Sequence, residues 1–267
     1  MAPIQPQPLS SRQGAAVLVY CLVPIVLGFL SPLLVLVAPV VSDFNLWHDP
    51  GLWRAAGHSL ALGSLSAGLV VVLATVMVLG LQKTPAAWKK SLLTLTTVGY
   101  AFPGAVLGLG ILIPLATFDN WLADLVFATF RRDPGLLLTG SAGALIVAYC
   151  VRFFAIGVGA AEAGLAAIST NIPLAASTLG RGPKDVLVNI YQPLMRGSLA
   201  SAMVLVFVDT VKELPATLLL RPFNFDTLST HVYAQASLEN FHGSTPAALL
   251  IITLSLGAIF LLAKAHR

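Results

Sequence analysis

The chain alternates between long apolar runs and short polar stretches, and the lengths of the runs predict its elements. A helix needs about 20 consecutive apolar residues to cross the hydrocarbon core of a bilayer. Runs of that kind lie at residues 15–41, 59–81, 91–117, 136–157, 197–220 and 246–263. The pattern therefore predicts an all-α, polytopic membrane protein with six transmembrane helices.

Composition supports a membrane protein and excludes a soluble domain. Of the 267 residues, 57% are hydrophobic and 10% are charged, with a mean hydropathy of +0.88. The core of a soluble domain does not need so much apolar surface, whereas a bilayer does. The Pro/Gln-rich start leads us to expect disorder over residues 1–13 and one six-helix domain over residues 14–267.

The basic residues predict the orientation of the spans, because cytoplasmic segments of membrane proteins are enriched in Lys and Arg. With residues 171–197 placed in the cytoplasm, the cytoplasmic segments hold Arg12, Lys83, Lys89, Lys90, Arg181, Lys184, Arg196, Lys264 and Arg267. The opposite side holds Arg54, Arg131, Arg132 and Arg221. Both termini are thus predicted to be cytoplasmic, and the net charge of +4 reflects topology rather than nucleic-acid binding.

Acidic residues gather on the predicted outer side, where they could help to dock a partner. They are Asp43, Asp49, Asp119, Asp124, Asp133, Asp226 and Glu239. In residues 118–130, apolar side chains alternate with Asp119 and Asp124, which predicts an amphipathic helix at the outer interface. This helix is expected either to cap the domain or to dock a partner.

Residues 171–197 cannot form a membrane span because they contain Arg181, Lys184, Asp185 and Arg196. Apolar residues recur at helical spacing up to Leu179, which predicts a short amphipathic helix. Gly180 should end this helix at positive φ, and Pro183 suits the first turn of a second helix before Pro193. The segment is therefore predicted to be a bent pair of helices that another protein could grip.

The spacing within this segment resembles the Glu-Ala-Ala loop of binding-protein-dependent ABC importer permeases. That loop reads Glu-Ala-Ala, three residues, Gly, nine residues, Ile, one residue and Leu-Pro. The matching positions here are Ala175, Ala176, Gly180, Ile190 and Pro193, while Leu174 replaces the Glu and Gln192 the Leu. The resemblance implies the type I importer permease fold and a coupling loop for an ATPase at about residues 159–196, in which Arg181 and Pro183 also take part.

The fifth apolar run contains three charged residues, Asp209, Lys212 and Glu213, followed by Pro215. Ionisable groups within a span usually face the bundle interior, a cavity or one another. Spacings of three and four residues would put all three on one helical face, and Pro215 would let the helix bend beyond them. Two interpretations stay open: an internal ion pair that locks the helix, or a gate on a translocation path.

A narrower resemblance links the chain to the second six-span half of ferric-iron ABC permeases. The segment from Asp209 to Leu228 resembles the part of those permeases that follows the loop. Residues 148–154, 161–165 and 100–104 are similar to the approach to the loop and to the third span of that family. The resemblance implies ferric-iron transport in a bacterial inner membrane, with an ATPase dimer, a periplasmic iron-binding protein and a second permease half, identical or separate, as partners.

No nucleotide or enzymatic site is recognisable in the sequence. It lacks the G-x-x-x-x-G-K-[ST] phosphate loop and any Ser/His/Asp or Cys/His constellation. ATP is therefore expected on the partner, with no cofactor on this chain and no nucleic acid bound. Cys21 and Cys150 lie in apolar runs as packing residues, the histidines do not cluster, and any metal ligands are unknown.

Three other functions remain open. The first is an ion-coupled secondary transporter in which Asp209, Lys212 and Glu213 form a relay. The second is an importer of another small solute, such as thiamine or a phosphonate. The third is a non-transporting fragment that binds or caps a partner. The length also leaves open a split subunit, a homodimerising half or a truncated product of a fused permease.

The predicted orientation can be tested by labelling single cysteines with a membrane-impermeant thiol reagent. In a chain without Cys21 and Cys150, Lys89→Cys and Lys184→Cys should react only after the cells are permeabilised, because both positions are predicted to be cytoplasmic. Asp49→Cys, on the predicted outer side, is the control and should react in intact cells. Labelling of position 89 or 184 before permeabilisation would overturn the topology.

Overall fold

The computed structural model describes residues 9–131 and 135–265, and within these residues every regular element is helical. The α-helices are α1 (Ser11–Ile25), α2 (Ser31–Ser42), α3 (Pro50–Gly80), α4 (Ala86–Ala101), α5 (Gly104–Phe130), α6 (Ala142–Ala166), α7 (Asn171–Thr178), α8 (Pro183–Val186), α9 (Gln192–Val211), α10 (Pro215–Leu220), α11 (Leu228–Ser237) and α12 (Phe241–Ala265). Two π-helical turns, Val26–Leu30 and Leu187–Tyr191, make α1–α2 and α8–α9 continuous. Short 3₁₀ segments lie at Phe44–His48 and Leu81–Lys83.

Six helical segments in the described part of the chain are long and apolar enough to cross a membrane. They are Ser11–Ser42, Pro50–Gly80, Gly104–Phe130, Ala142–Ala166, Pro183–Val211 and Phe241–Lys264. The predicted all-α fold with six spans is therefore confirmed. The boundaries differ from the predicted ones: the second span begins at Pro50 rather than 59, and the sixth begins at Phe241 rather than 246.

The third predicted span, residues 91–117, is not one helix. It is interrupted at Phe102 and Pro103, between α4 and α5. Phe102 is extended, with φ −75° and ψ 140°, because a proline disfavours the helical conformation of the residue before it. The separate interfacial helix predicted for residues 118–130 is also wrong, because these residues continue α5 without a break.

The other boundary corrections concern the fourth and fifth spans and the N-terminus. The fourth span is α6, which begins at Ala142 rather than 136 and runs on to Ala166. The fifth, predicted as one helix over residues 197–220, breaks between Val211 and Pro215. Residues 1–8 of the predicted disordered segment lie outside the described residues, but α1 already begins at Ser11, where the side chains of Ser10 and Gln13 form a capping box.

The core lies where α3, α6 and α9 pack against one another. Small residues allow these helices to approach closely, as expected for helix packing in membranes. A Cβ on Gly157 of α6 would lie 2.7 Å from Cγ1 of Val70 on α3, and one on Gly63 of α3 would lie 2.9 Å from Cδ2 of Phe207 on α9. In contrast, α1 has no buried residue, so the first span is peripheral.

Asp119 of α5 holds the loop that leads to α6. Its carboxylate is fully buried and accepts hydrogen bonds from the backbone N–H groups of Leu137, Leu138 and Thr139 at 2.8–2.9 Å. A carboxylate that binds three backbone donors organises the loop. Asp119 therefore does not belong to the exposed acidic residues that could dock a partner.

Gly99 lets α4 pack on α6, since a Cβ there would overlap the carbonyl oxygen of Val151. We expect Gly99→Ala to lower the free energy of unfolding by about 1–3 kcal/mol, because overpacking forces the helices apart. Gly110→Ala is the matched control, since Gly110 is also helical but has no atom within 4 Å of the added Cβ. Thermal unfolding in detergent measures both, and equal effects would contradict the close approach of α4 and α6.

Candidate functional site

The loop between α6 and α9 has the bent form expected from its sequence. Gly180 has φ +80°, so the predicted positive φ is observed. The N–H of Gly180 donates to Ser177 O and that of Arg181 donates to Ala176 O, each at 3.1 Å. This is the hydrogen-bond pattern of a Schellman motif, which Gly commonly terminates. Pro183 occupies the first turn of α8, so both local signals in the sequence operate as predicted.

Beyond this bend, the structure differs from the prediction of a second helix that ends before Pro193. The chain continues from α8 through the π turn at Leu187–Tyr191 into α9, and Pro193 lies in the first turn of α9. Proline provides no N–H for the preceding turn, and a π turn is one way to accommodate such a defect. Ile190 lies within this π turn and is half-buried.

The surface of the loop is suited to contact with another protein. Ala176 is buried against the domain, whereas Ala175, Leu174 and Leu179 are exposed, Leu179 by 81%. Arg181 forms an exposed ion pair with Asp185 at 2.8 Å. Two adjacent grooves of about 490 and 380 Å³ share the lining residues Gln82, Pro173, Ser177 and Tyr191. The loop therefore offers exposed apolar side chains beside two depressions.

The three charges of the fifth span do not form one network. Helix α9 ends at Val211, and Lys212 follows it as the C-cap residue. Nζ of Lys212 lies 2.8 Å from Oδ1 of Asp209, with side-chain exposures of 55% and 24%. Glu213 has turned away from this pair at the break. The prediction that all three residues share a helical face is therefore wrong, because the helix stops before the face is complete.

Glu213 instead pairs with Arg152 of α6, 61 positions earlier in the sequence. Nε of Arg152 lies 3.0 Å from Oε2 of Glu213, and the side chains are only 20% and 8% exposed. Arg152 also donates from Nη1 to the carbonyl oxygen of Phe102 at 3.0 Å. The sequence alone assigns Arg152 no partner. The signal that could have identified it is the need of a cation within a membrane span for an anionic partner.

Side-chain hydroxyl groups donate hydrogen bonds to the backbone carbonyl that the break between α9 and α10 leaves without a helical partner. The carbonyl oxygen of Glu213 accepts hydrogen bonds from Oγ1 of Thr217 at 2.7 Å and Oγ of Ser229 at 2.8 Å. Thr217 is in turn 2.6 Å from the hydroxyl of Tyr149. Pro215 begins α10, so it starts a new helix rather than bending the old one. Buried backbone groups need such partners, and here α10 and α11 supply them.

The arrangement of acidic and histidine side chains indicates no metal site in the described residues. Within them, no three His, Cys, Asp or Glu side chains lie close enough to hold a metal ion. His58 stacks on Phe225 with ring centroids 3.9 Å apart, and Nε2 of His231 lies 3.6 Å from Oδ2 of Asp49. These histidines therefore make contacts within the chain.

Relatives of the chain are named as transport permeases. It is 31% identical over 160 residues to the Fe(3+)-transport system permease protein FbpB 2 of Haemophilus influenzae, which covers 60% of this chain and 29% of that protein. It is 24% identical over 220 residues to a Salmonella typhimurium protein provisionally named PhnV, a permease of a 2-aminoethylphosphonate transport system, covering 80% of this chain and 77% of that protein. It is 22% identical over 254 residues to the molybdate/tungstate transport system permease protein WtpB of Thermococcus kodakarensis, covering 95% and 93%.

The fold is that of an ABC transporter permease. A chain of the bacterial alginate ABC transporter, solved with an alginate pentasaccharide-bound periplasmic protein, matches 95% of this chain and 93% of its own length, with a TM-score of 0.73 and 15% identity. No protein-family model matches the chain. The likenesses together confirm the resemblance to permeases of binding-protein-dependent ABC importers and the predicted fold. The chain spans only 29% of the length of FbpB 2, but most of PhnV and WtpB.

The separation of the two ion pairs predicts unequal effects of neutral substitutions. Lys212→Met should lower the free energy of unfolding by about 1 kcal/mol or less, because Lys212 is more than half exposed and its ion pair is with Asp209. Glu213→Gln should lower it more, because it leaves Arg152, whose side chain is only 20% exposed, without its anion. Melting temperatures in detergent compare the two variants. If Lys212→Met were as damaging as Glu213→Gln, the three charges would act as one network after all.

Proposed function

We propose that this chain, which has the fold of an ABC transporter permease, is the membrane-spanning permease subunit of an ABC importer in a bacterial inner membrane. The observation that carries the proposal is the bent loop α7–α8. It combines the family spacing of Ala175, Ala176 and Gly180 with an exposed two-helix structure. A surface of this kind suits an ATPase subunit that grips the loop and transmits its own motion to the spans.

The partners follow from what an importer of this kind requires. A separate ATPase dimer binds and hydrolyses ATP at the cytoplasmic loop, and this chain acts as a transport subunit rather than an enzyme. A second permease half, either a copy of this chain or a separate subunit, completes the pathway. Exposed apolar side chains along α1 and α5, such as Leu18, Val106 and Ile113, are available for lipid and for that second half. A periplasmic binding protein delivers the solute to the outer side.

Ferric iron is the solute that we favour. The support is the identity to FbpB 2, the highest among the three relatives described above, and the likeness of residues 209–228 to the corresponding segment of ferric-iron permeases. An oxyanion such as a phosphonate or molybdate is the second candidate. The relatives named for those solutes favour it, because they match most of their own length. Thiamine is a further alternative within the same class.

The function is best tested by isolating the chain with its partners from native membranes. Mild detergent extraction and identification of the bound subunits should yield an ATPase and a solute-binding protein. The complex is then placed in liposomes with ATP at the ATPase side, and uptake of ferric iron, 2-aminoethylphosphonate and molybdate is compared. Uptake that an ion gradient drives without ATP would instead identify a secondary transporter. A chain that binds partners but moves no solute would be a non-transporting fragment.

Coupling through the loop predicts different effects of the same substitution at two nearby glycines. Gly180→Val forces a β-branched residue into φ +80°, at a cost of about 1–2 kcal/mol. The fraction of molecules with the bent loop, and with it the rate of ATP-driven uptake, should therefore fall roughly ten-fold. Gly182→Val is the matched control, because Gly182 has φ −71° and nothing within 4 Å of an added Cβ. Both variants should still insert in the membrane. Normal uptake and normal ATPase stimulation with Gly180→Val would refute the coupling role.

A further inference from the structure

The two helix breaks of the chain lie against each other. One separates α4 from α5 at Phe102 and Pro103, and the other separates α9 from α10. A Cβ on Gly104, the first residue of α5, would lie 2.5 Å from Oε1 of Glu213 and 3.3 Å from Cβ of Pro215. Glycine at position 104 thus leaves the space that the carboxylate of Glu213 occupies between the two breaks.

The charges at this junction match the polarity of the helix ends. A helix carries partial negative charge at its C-terminus and partial positive charge at its N-terminus. Arg152 donates to the carbonyl oxygen of Phe102, the C-cap residue of α4. The carboxylate of Glu213 lies beside Gly104, at the start of the 27-residue helix α5. The cation therefore lies at the negative end of one helix and the anion at the positive end of the next.

The burial of the pair distinguishes it from the other ion pairs among the described residues. Arg152 and Glu213 are 20% and 8% exposed, whereas the side chains of Arg221 and Asp226, also paired, are 32% and 45% exposed. Burying two charges is costly unless their geometry is good and other hydrogen bonds satisfy them. Nη1 of Arg152 donates to the carbonyl oxygen of Phe102, and the N–H of Ala216 donates to Oε1 of Glu213 at 3.4 Å. Nε of Arg152 lies 3.0 Å from the carboxylate, but the contact is an ion pair without a well-directed hydrogen bond.

We infer that Arg152 and Glu213 form a clamp of fixed polarity that holds α5 and α10 together as one body. Arg152 is then a positioning residue for transport, although it lies on neither of these helices. The clamp makes the interrupted third and fifth spans move together when the ATPase acts, so that ATP hydrolysis is converted into solute movement. The transport part of this inference rests on the proposed function, whereas the polarity of the clamp does not.

Polarity is tested by stability alone, in three variants of the purified chain. Arg152→Met should lower the melting temperature strongly, since it strands a buried carboxylate. The double variant Arg152→Met with Glu213→Gln should be more stable than the single variant, because it removes both charges and leaves neither one buried without a partner. The reversed pair, Arg152→Glu with Glu213→Arg, should be less stable than this double variant, because each charge then faces the wrong helix end.

A reversal at a more exposed pair provides the control. Exchanging the charges of Arg221 and Asp226, whose side chains are 32% and 45% exposed, should lower the melting temperature less than the reversal of Arg152 and Glu213, because ion pairs contribute less as their exposure increases. If reversing Arg152 and Glu213 instead restored the stability of the native chain, an ion pair of either direction would suffice, and the polarity argument would be overturned.

The coupling role has a separate readout, the solute transported per ATP hydrolysed by the reconstituted complex. For the double-neutral variant and for Arg152→Lys we expect this ratio to fall roughly ten-fold while ATPase activity persists, a size typical of coupling between parts of a protein. Arg152→Lys keeps the charge and should therefore fold. The ammonium group of lysine, however, cannot reproduce the planar guanidinium, whose nitrogens reach both Phe102 and Glu213. A role in stability alone would leave the ratio unchanged in both variants, which would refute the coupling role.

A disulfide can replace the clamp and so test whether joining α5 to α10 is what matters. A Cβ at Gly108 would lie 3.4 Å from Cα of Ala216, so residues 108 and 216 are close neighbours on α5 and α10 at which a disulfide can be tried. In the double-neutral variant without Cys21 and Cys150, oxidised Gly108→Cys/Ala216→Cys should restore the ratio, and reduction should abolish the effect. A disulfide that forms without restoring it would overturn the inference. If the unmodified complex shows no ATP-driven uptake, the proposed function fails. The stability measurements would still show whether the pair of Arg152 and Glu213 has a fixed polarity.

Discussion

The ion pair between Arg152 and Glu213 is the constraint around which the interior of this domain is arranged. Arg152 lies within the fourth span and Glu213 at the break after α9, and two such charges would be costly if they were isolated, because desolvation disfavours both. Here each charge also meets a helix end of opposite partial charge, and these ends exist only because the third and fifth spans are broken. The breaks and the pair therefore depend on each other: the breaks supply the dipoles, and the charges stabilise the broken ends.

Irregular backbone inside a membrane domain must satisfy its own polar groups. Around the second break, the hydroxyls of Thr217 and Ser229 do this for the carbonyl of Glu213, and Ser59 of α3 accepts from the N–H of Leu228. The short helices α10 and α11 are thus tied to the junction by hydrogen bonds, while glycines let α3, α4 and α6 approach closely.

The bent loop α7–α8 is stabilised differently from the junction of the two helix breaks. Its bend depends on neighbours in the sequence: Gly180 at positive φ, the carbonyls of Ala176 and Ser177, and Pro183 at the next helix start. Its outer surface is largely exposed and free to meet another protein. Motion received at this locally determined loop would pass through the continuous run from α8 into α9, which ends at the second break.

The sequence by itself determined the number of spans, the helical class and the bend of the α7–α8 loop at Gly180. These features depend on the length of apolar runs and on residues within a few positions of one another, and such rules can be applied without coordinates. It could not determine that Lys212 and Glu213 have different partners, or that Arg152 is the partner of Glu213. The prediction that Asp209, Lys212 and Glu213 share one face assumed an unbroken helix, but the helix ends at Val211. Only the tertiary structure brings Arg152, Phe102 and Glu213 together, because their contact depends on how three separate helices pack, and no local pattern encodes that packing.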